Sequence, residues 1–239
     1  MGIYGTRPSG INNSGQIVGV YSDTAPITAT STTNGQHGFL YSSGTFTTLN
    51  DPLGIYGTQA HGINNLGQIV GSYSTGSCGG CGGAFLYSNG VYMTLVGMAY
   101  ALGINDLGQI VGLGLSGQAV LYSNGIYTTL NDPPGGFGTE PIDINNLGQI
   151  SGSYTYGNAS HGFLYSNGIY TNIDFPLGGG PNFAGGINNM SQIVGSAYSN
   201  DNGSTTPLPA ALPLFATGLG ALGLLGWHRK RKAYASPLS

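Results

Sequence analysis

A chain of 239 residues with 45 glycines and 12 prolines approaches the composition of disordered sequences, yet its glycines sit at fixed places between runs rich in Ile, Val, Leu, Phe and Tyr, which suit a packed sheet. Four of its 5 basic residues are Arg229, Lys230, Arg231 and Lys232, so Arg7 alone faces 8 acids over the rest. With no basic face to neutralise phosphates, the composition argues against a nucleic-acid partner.

From the N-terminus, Met1-Gly2-Ile3-Tyr4-Gly5-Thr6 lines up with Leu53-Gly54-Ile55-Tyr56-Gly57-Thr58. This places the first residue inside a repeat and the natural start upstream. No signal peptide is visible, and the repeat explains Met-Gly-x-x-x-Thr better than a myristoylation site does. The repeat itself centres on Gly62-Ile63-Asn64-Asn65-Leu66-Gly67-Gln68-Ile69-Val70-Gly71. Its isoleucine returns as Ile11, Ile63, Ile104, Ile144 and Ile187, at intervals of 52, 41, 40 and 43 residues. Asn-Asn-x-Gly tolerates left-handed backbone angles, and Gln-Ile-Val-Gly restarts an extended run, so each copy predicts strand, tight turn, strand. A period of about 40 residues with several short strands per unit marks a propeller or another stacked array.

Four strands per unit are expected. Strand A is the Gly-Ile-Asn segment and strand B runs as Gln68 to Tyr73. Strand C is Phe39–Tyr41, Phe85–Tyr87, Val120–Tyr122 and Phe163–Tyr165; strand D is Thr45–Leu49, Val91–Leu95, Ile126–Leu130 and Ile169–Ile173. Ser-Asn-Gly between C and D is a strong hairpin signal. Both faces of these strands are largely apolar, as in Val91, Met93 and Leu95 against Tyr92, which favours blades shielded on both sides. A β-sandwich or β-solenoid is the alternative. In a meander the short A–B and C–D turns share one end. The longer B–C runs (Ser22–Gln36, Ser74–Gly83, Tyr154–Ser160) and D–A runs (Asn50–Ala60, Asn131–Pro141, Asp174–Gly185) share the other. That varied end is where a repeat scaffold carries recognition.

The last copy, Gly185–Ser199, holds strands A and B without C and D. We expect an upstream C–D pair to complete it, the sequence as it stands making about four and a half blades. The chain then divides into a β-repeat domain (1–200), a polar, proline-containing linker (201–209), an uncharged segment (210–227) and a basic tail (228–239). Eighteen residues at ~1.5 Å rise span about 27 Å, just enough for one membrane helix. The cations directly after it place the tail in the cytoplasm and the repeats outside.

The alternation of Gly-Ile-Asn-Asn-x-Gly-Gln-Ile-Val-Gly with His-Gly-Phe-Leu-Tyr (His37–Tyr41, His161–Tyr165) resembles the HAF family of bacterial extracellular repeats over roughly residues 3–200. It departs where Gly83 and Gln118 replace the histidine. The tail resembles the PEP-CTERM sorting signal: Pro207, Leu208 and Pro209, then the apolar run, then Arg229, Lys230, Arg231 and Lys232. Leu208 stands where the name-giving motif has Glu. The resemblance implies an exosortase-type processing enzyme as partner, and either membrane anchoring or release to the cell surface, in bacteria that make exopolysaccharide.

Few residues invite chemistry. Glu140 and Asp143 are the best candidates for a catalytic carboxylate pair, though glycosidase action needs a separation that sequence does not give. His37, His61 and His161 precede Gly at strand starts and read as structural. Asp51, Asp132 and Asp174 follow strand D as turn residues, a calcium ring being the lesser reading. Cys78 and Cys81 lack the second pair that zinc wants and read as a small oxidised loop or two idle thiols. Gly218–Gly223 fits G-x-G-x-x-G inside the apolar segment, without a preceding strand. No cofactor is expected. The sequence thus predicts an all-β, propeller-like array with one C-terminal membrane helix. Its expected role is that of an exported, non-enzymatic surface or matrix protein, with extracellular polysaccharide as the candidate ligand. A polysaccharide-acting propeller enzyme and a structural spacer are the alternatives.

Overall fold

The computed structural model of the chain describes residues 5–23, 35–76, 81–174, 182–198 and 205–207. These form five antiparallel sheets, each a meander. The first holds β1 (Gly5–Ile11), β2 (Ile17–Ser22), β3 (Gln36–Ser42) and β4 (Thr45–Leu49). The second holds β5 (Gly57–Ile63), β6 (Ile69–Ser74), β7 (Gly82–Ser88) and β8 (Val91–Leu95). The third holds β9 (Met98–Ile104), β10 (Ile110–Gly114), β11 (Ala119–Ser123) and β12 (Ile126–Thr129). The fourth holds β13 (Phe137–Ile144), β14 (Ile150–Tyr156), β15 (Ala159–Ser166) and β16 (Ile169–Asn172). The fifth holds β17 (Asn182–Ile187), β18 (Ile193–Tyr198) and β19 (Thr205–Pro207). The all-β, four-stranded repeat predicted from sequence is therefore present. Among the described residues no helix is long and apolar enough to cross a membrane, and residues 210–227 lie outside them.

The turn chemistry is as the residues demand. Asn89, Asn124 and Asn167 sit at φ near +51° and the glycines after them at +83° to +85°, the twist-matched two-residue hairpin. In each A–B turn the first Asn curls back on the backbone. Asn64 Oδ1 accepts from Leu66 N (3.1 Å) and Gln68 N (2.9 Å).

Hydrophobic faces interlock from one sheet to the next. Val18 and Leu49 pack on Ala60, Ile63, Ile69 and Phe85. Val70, Ala84 and Leu95 pack on Met98, Ala101, Ile104 and Ile110; Val111, Ala119 and Leu130 pack on Ile144, Ile150 and Phe163. A second joint runs between the A–B turns. Asn12, Asn64, Asn105 and Asn145 each donate Nδ2 to the carbonyl of the equivalent Asn one repeat on, at 2.9–3.0 Å, across 52, 41, 40 and 43 residues. These separations are the intervals of the sequence repeat. The first and fifth sheets do not pack on each other as consecutive sheets do. Ile11 and Val194 are accordingly exposed, where their counterparts Ile63 and Val70 are buried.

Several expectations are corrected. The fifth sheet has its third strand from Thr205–Pro207, which pairs with β18 through Tyr198↔Thr205 to Ser196↔Pro207. A third strand of this sheet thus comes from inside the stretch read as linker. The run Tyr154–Ser160 is no long loop: β14 and β15 stay paired to Tyr156↔Ala159 around Gly157, whose φ of +61° permits the reversal. Strand A starts earlier than the Gly-Ile-Asn motif, so the D–A connections are shorter. Strand D is a wet outer edge, with Val91 and Met93 exposed and only Leu95 buried.

Candidate functional site

The last motif glycine explains how the innermost strand is shaped. A Cβ on Gly19, Gly71, Gly112 or Gly152 would lie 2.0–2.2 Å from a strand-A carbonyl, and on Gly71 it would also lie 2.6 Å from the Phe85 ring. Opposite each of these four glycines the register of strand A shifts, between Pro8 and Gly10, Ala60 and Gly62, Ala101 and Gly103, and Pro141 and Asp143. One residue of each strand A, namely Ser9, His61, Leu102 and Ile142, is therefore bulged. A bulge re-aims its side chain, and all four line a central cavity of about 940 Å³ to which every sheet contributes. The rest of its wall comes mainly from the motif isoleucines (Ile11, Ile63, Ile104, Ile144 and Ile187), the asparagines of the A–B turns, and Asp106 and Asp143.

His61 is the one titratable side chain among these four. Its Nε2 lies 3.0 Å from Ser72 Oγ, and burial lowers its pKa to about 4, so it presents a neutral imidazole. The cavity thus offers a hydroxyl, a neutral imidazole, aliphatic groups, amides and the carboxylates of Asp106 and Asp143, both of which already accept from N–H groups. Sequence reasoning passed over this set. Its only signal is the residue before Gly-Ile-Asn, which differs in every copy.

The candidate carboxylates have different surroundings. Glu140 is exposed on β13. Asp143 replaces the motif glycine; its Oδ1 accepts from Ile144 N (2.9 Å) and its Oδ2 from Ile187 N (3.0 Å) in the next sheet. Burial raises its pKa, against the lowering effect of these two N–H groups. Ser151, standing where other copies have Val, donates to Gly185 O. Asp143 and Ser151 together form a polar clasp between the fourth and fifth sheets. Asp106 works similarly. Burial alone would raise its pKa, but Asn65 Nδ2, Asn146 Nδ2 and Asn65 N bond its carboxylate and the net shift is downward.

At the varied end, His37 stacks on Tyr21 at 5.1 Å, with its ring nitrogens near Asn50 Oδ1 (2.8 Å) and Asp23 Oδ2 (3.2 Å). The equivalent His161 lies 2.7 Å from Asp174 Oδ2 and against Tyr154. Where the histidine is missing, its partner changes too. At Gly83 an added Cβ would meet Tyr73 Oη at 2.8 Å, and Gln118 lies over Gly114. These facing positions of strands B and C thus share one volume, filled by a Tyr–His pair in the first and fourth sheets, by Tyr73 in the second and by Gln118 in the third. Asp132 accepts from Thr139 N and Oγ1, and Asp51 Oδ1 accepts from Leu53 N; burial raises the Asp51 pKa, against that N–H. Among the described residues no three His, Cys, Asp or Glu side chains gather to hold a metal. Cys81 is disulfide-bonded, and Cys78, the only other cysteine, lies outside the described residues. Pro207 ends β19; Leu208, Pro209, Arg229, Lys230, Arg231 and Lys232 also lie outside them.

Comparison with curated proteins gives no match. Among solved structures, the chain is similar to an acylaminoacyl peptidase of Pyrococcus horikoshii, at 12% identity and a TM-score of 0.50, with 88% of this chain and 37% of that one covered. It also aligns with the β-propeller domain of the Trilobed protease from Pyrococcus furiosus, at 11% identity and a TM-score of 0.49, covering 85% and 66%. The chain spans about a third of the peptidase's length, and the likeness concerns the fold alone. Residues 4–132, more than half of the sequence, match the family model described as "Protein of unknown function (DUF3466)", and the chain belongs to that family.

Proposed function

We propose that this chain is an exported, non-enzymatic repeat protein of the cell surface or extracellular matrix, sorted through its C-terminal tail and presenting its varied loop end for binding. One observation carries the reading: nearly every acid and histidine of the described array is engaged as a strut. Asp106 and Asp143 join sheets, Asp51 and Asp132 hold turns, and His37 and His161 brace the ends of their strands. The resemblance to HAF repeats and to a PEP-CTERM-type tail supplies the address, with an exosortase-type enzyme as processing partner. Extracellular polysaccharide is the candidate ligand, because the loop end and the cavity offer aromatic, hydroxyl and amide groups rather than cations.

The test uses the purified chain on a glycan array and against soluble polysaccharides. Saturable binding without chain cleavage is expected. Hydrolysis that is lost on Glu140→Ala or Asp143→Ala would overturn the reading in favour of an enzyme. Protein partners recovered in place of glycans would redirect the ligand.

A further inference from the structure

The end of the array where the short turns lie carries the most regular exposed apolar residues. The third position of the A–B turn holds Leu66, Leu107, Leu147 and Met190, each 65–75% exposed. Hydrogen bonds between successive turns (Asn65 N to Asp106 Oδ1, Asp106 N to Asn146 Oδ1, Asn146 N to Asn189 Oδ1, at 2.7–2.8 Å) set these tips side by side. Further out at the same end, Val91, Ile126 and Ile169 follow the C–D turns, 67–68% exposed. Nothing in strand pairing requires an aliphatic residue at a turn tip, where water is the default neighbour.

Two further observations say what covers this end. The first is charge. In the described turns of this end Asp106 is the sole charged residue, and three N–H groups already bond its carboxylate. The opposite end carries Asp23, Asp51, Asp132 and Asp174 among its own exposed apolar residues, such as Val96. An anionic membrane surface would repel that end. The second is the direction of the chain. β18 runs away from the short turns and β19 returns towards them, with Thr205 opposite Tyr198 and Pro207 opposite Ser196. The chain leaves the last described residue heading for the short-turn end. Only Leu208 and Pro209 separate it from the apolar run 210–227 and the basic cluster after that run.

We propose that the short-turn end rests on the lipid bilayer, with Leu66, Leu107, Leu147 and Met190 inserted at the interface and the varied loop end facing away. This rests on the reading of 210–227 as a membrane segment, and it adds an orientation to the tether. Side chains of such an interfacial surface reach ~5–10 Å into the boundary between headgroups and acyl chains, within range of a quencher carried high on the acyl chain.

The experiment uses the full chain with its single tryptophan removed (Trp227→Phe) and one reporter added at a time. Leu107→Trp and Leu147→Trp report the short-turn end, and Val96→Trp reports the other. Each variant is floated with vesicles of phosphatidylcholine and phosphatidylglycerol, with and without bromine on the acyl chains. Blue-shifted emission that bromolipid quenches is expected for Leu107→Trp and Leu147→Trp, and neither effect for Val96→Trp. Flotation without quenching at either short-turn position overturns the placement and leaves the tether standing. Failure of the Trp227→Phe chain to float removes both. Quenching of Val96→Trp alone reverses the orientation. A blue shift without lipid that grows with protein concentration assigns the face to a second copy, and overturns the proposal.

Discussion

Replacing Asn105 by alanine breaks the turn ladder where it is most enclosed. Asn105 is buried, and its amide makes four hydrogen bonds: it donates to Gln109 Oε1 (2.7 Å) and Asn145 O (2.9 Å), and accepts from Leu107 N (3.1 Å) and Gln109 N (3.0 Å). Each bond is worth about 1 kcal/mol net, and more where its partner is left dry. The two turn N–H groups recover water in part, so the loss comes to about 2–4 kcal/mol. Asn188 is the internal control. It keeps the bonds to Gln192 and Met190 N but is exposed and makes none to a further sheet among the described residues, so Asn188→Ala should cost about 1 kcal/mol. With a urea slope of about 2 kcal/mol per M, the midpoint moves by about 1–2 M for Asn105→Ala and about 0.5 M for Asn188→Ala. Because repeats are stabilised by nearest neighbours, only the former should also lower the slope, by letting the two halves unfold apart. Equal shifts at the two positions would refute the ladder as an inter-sheet joint.

Gly71→Ala places a Cβ 2.0 Å from Gln59 O, a backbone atom, and overpacking of this kind costs ~1–3 kcal/mol or more. Gly90→Ala, at a φ of +85° with open space around it, should cost only the left-handed strain, about 1 kcal/mol; thermal unfolding of the two compares steric with backbone causes. Asp143→Ala removes the acceptor of Ile187 N, so hydrogen exchange at Ile187 should quicken while Ile104 in the third sheet is unchanged. Below its ordinary 6.5, His61 takes a proton in the unfolded chain but resists it in the fold down to about 4. Its contribution is whole above pH 6.5 and is lost as pH falls towards 4, by up to about 3 kcal/mol. Asp51 and Asp143, raised by burial, act with the opposite sign. The difference between the parent chain and His61→Gln, followed by urea unfolding from pH 7 to 4.5, isolates the histidine; parallel curves would rule out its burial.

The sequence showed the meander because its signals are local. Asn-Gly fixes a hairpin whatever surrounds it, and Gln-Ile-Val-Gly repeats too regularly to miss. It did not show the bulge, which arises where one strand accommodates a partner glycine and leaves no composition of its own. His61 looked like a consensus residue beside Gly62, yet it belongs with Ser9, Leu102 and Ile142, to which it bears no likeness in sequence. Asp143 drew notice as half of a carboxylate pair, but three-residue spacing says nothing about a neighbour 44 residues away, Ile187, whose N–H it bonds. Thr205–Pro207 read as linker because a three-residue edge strand has no periodicity to detect. The exposed leucines at the turn tips were visible in Asn-Asn-Leu-Gly, but their exposure follows from the stacking of the turns, which is a property of the whole array.

The account rests on each sheet being bonded to the next through its turns, and native-state hydrogen exchange reads those bonds one at a time. The amides of Asn13, Asn65, Asp106 and Asn146 donate to the following turn. The amide of Asn189 has no such acceptor among the described residues. Slow exchange at the first four, with Asn189 exchanging at the rate of a free peptide, is the predicted result. Fast exchange at all five would contradict the stacked array.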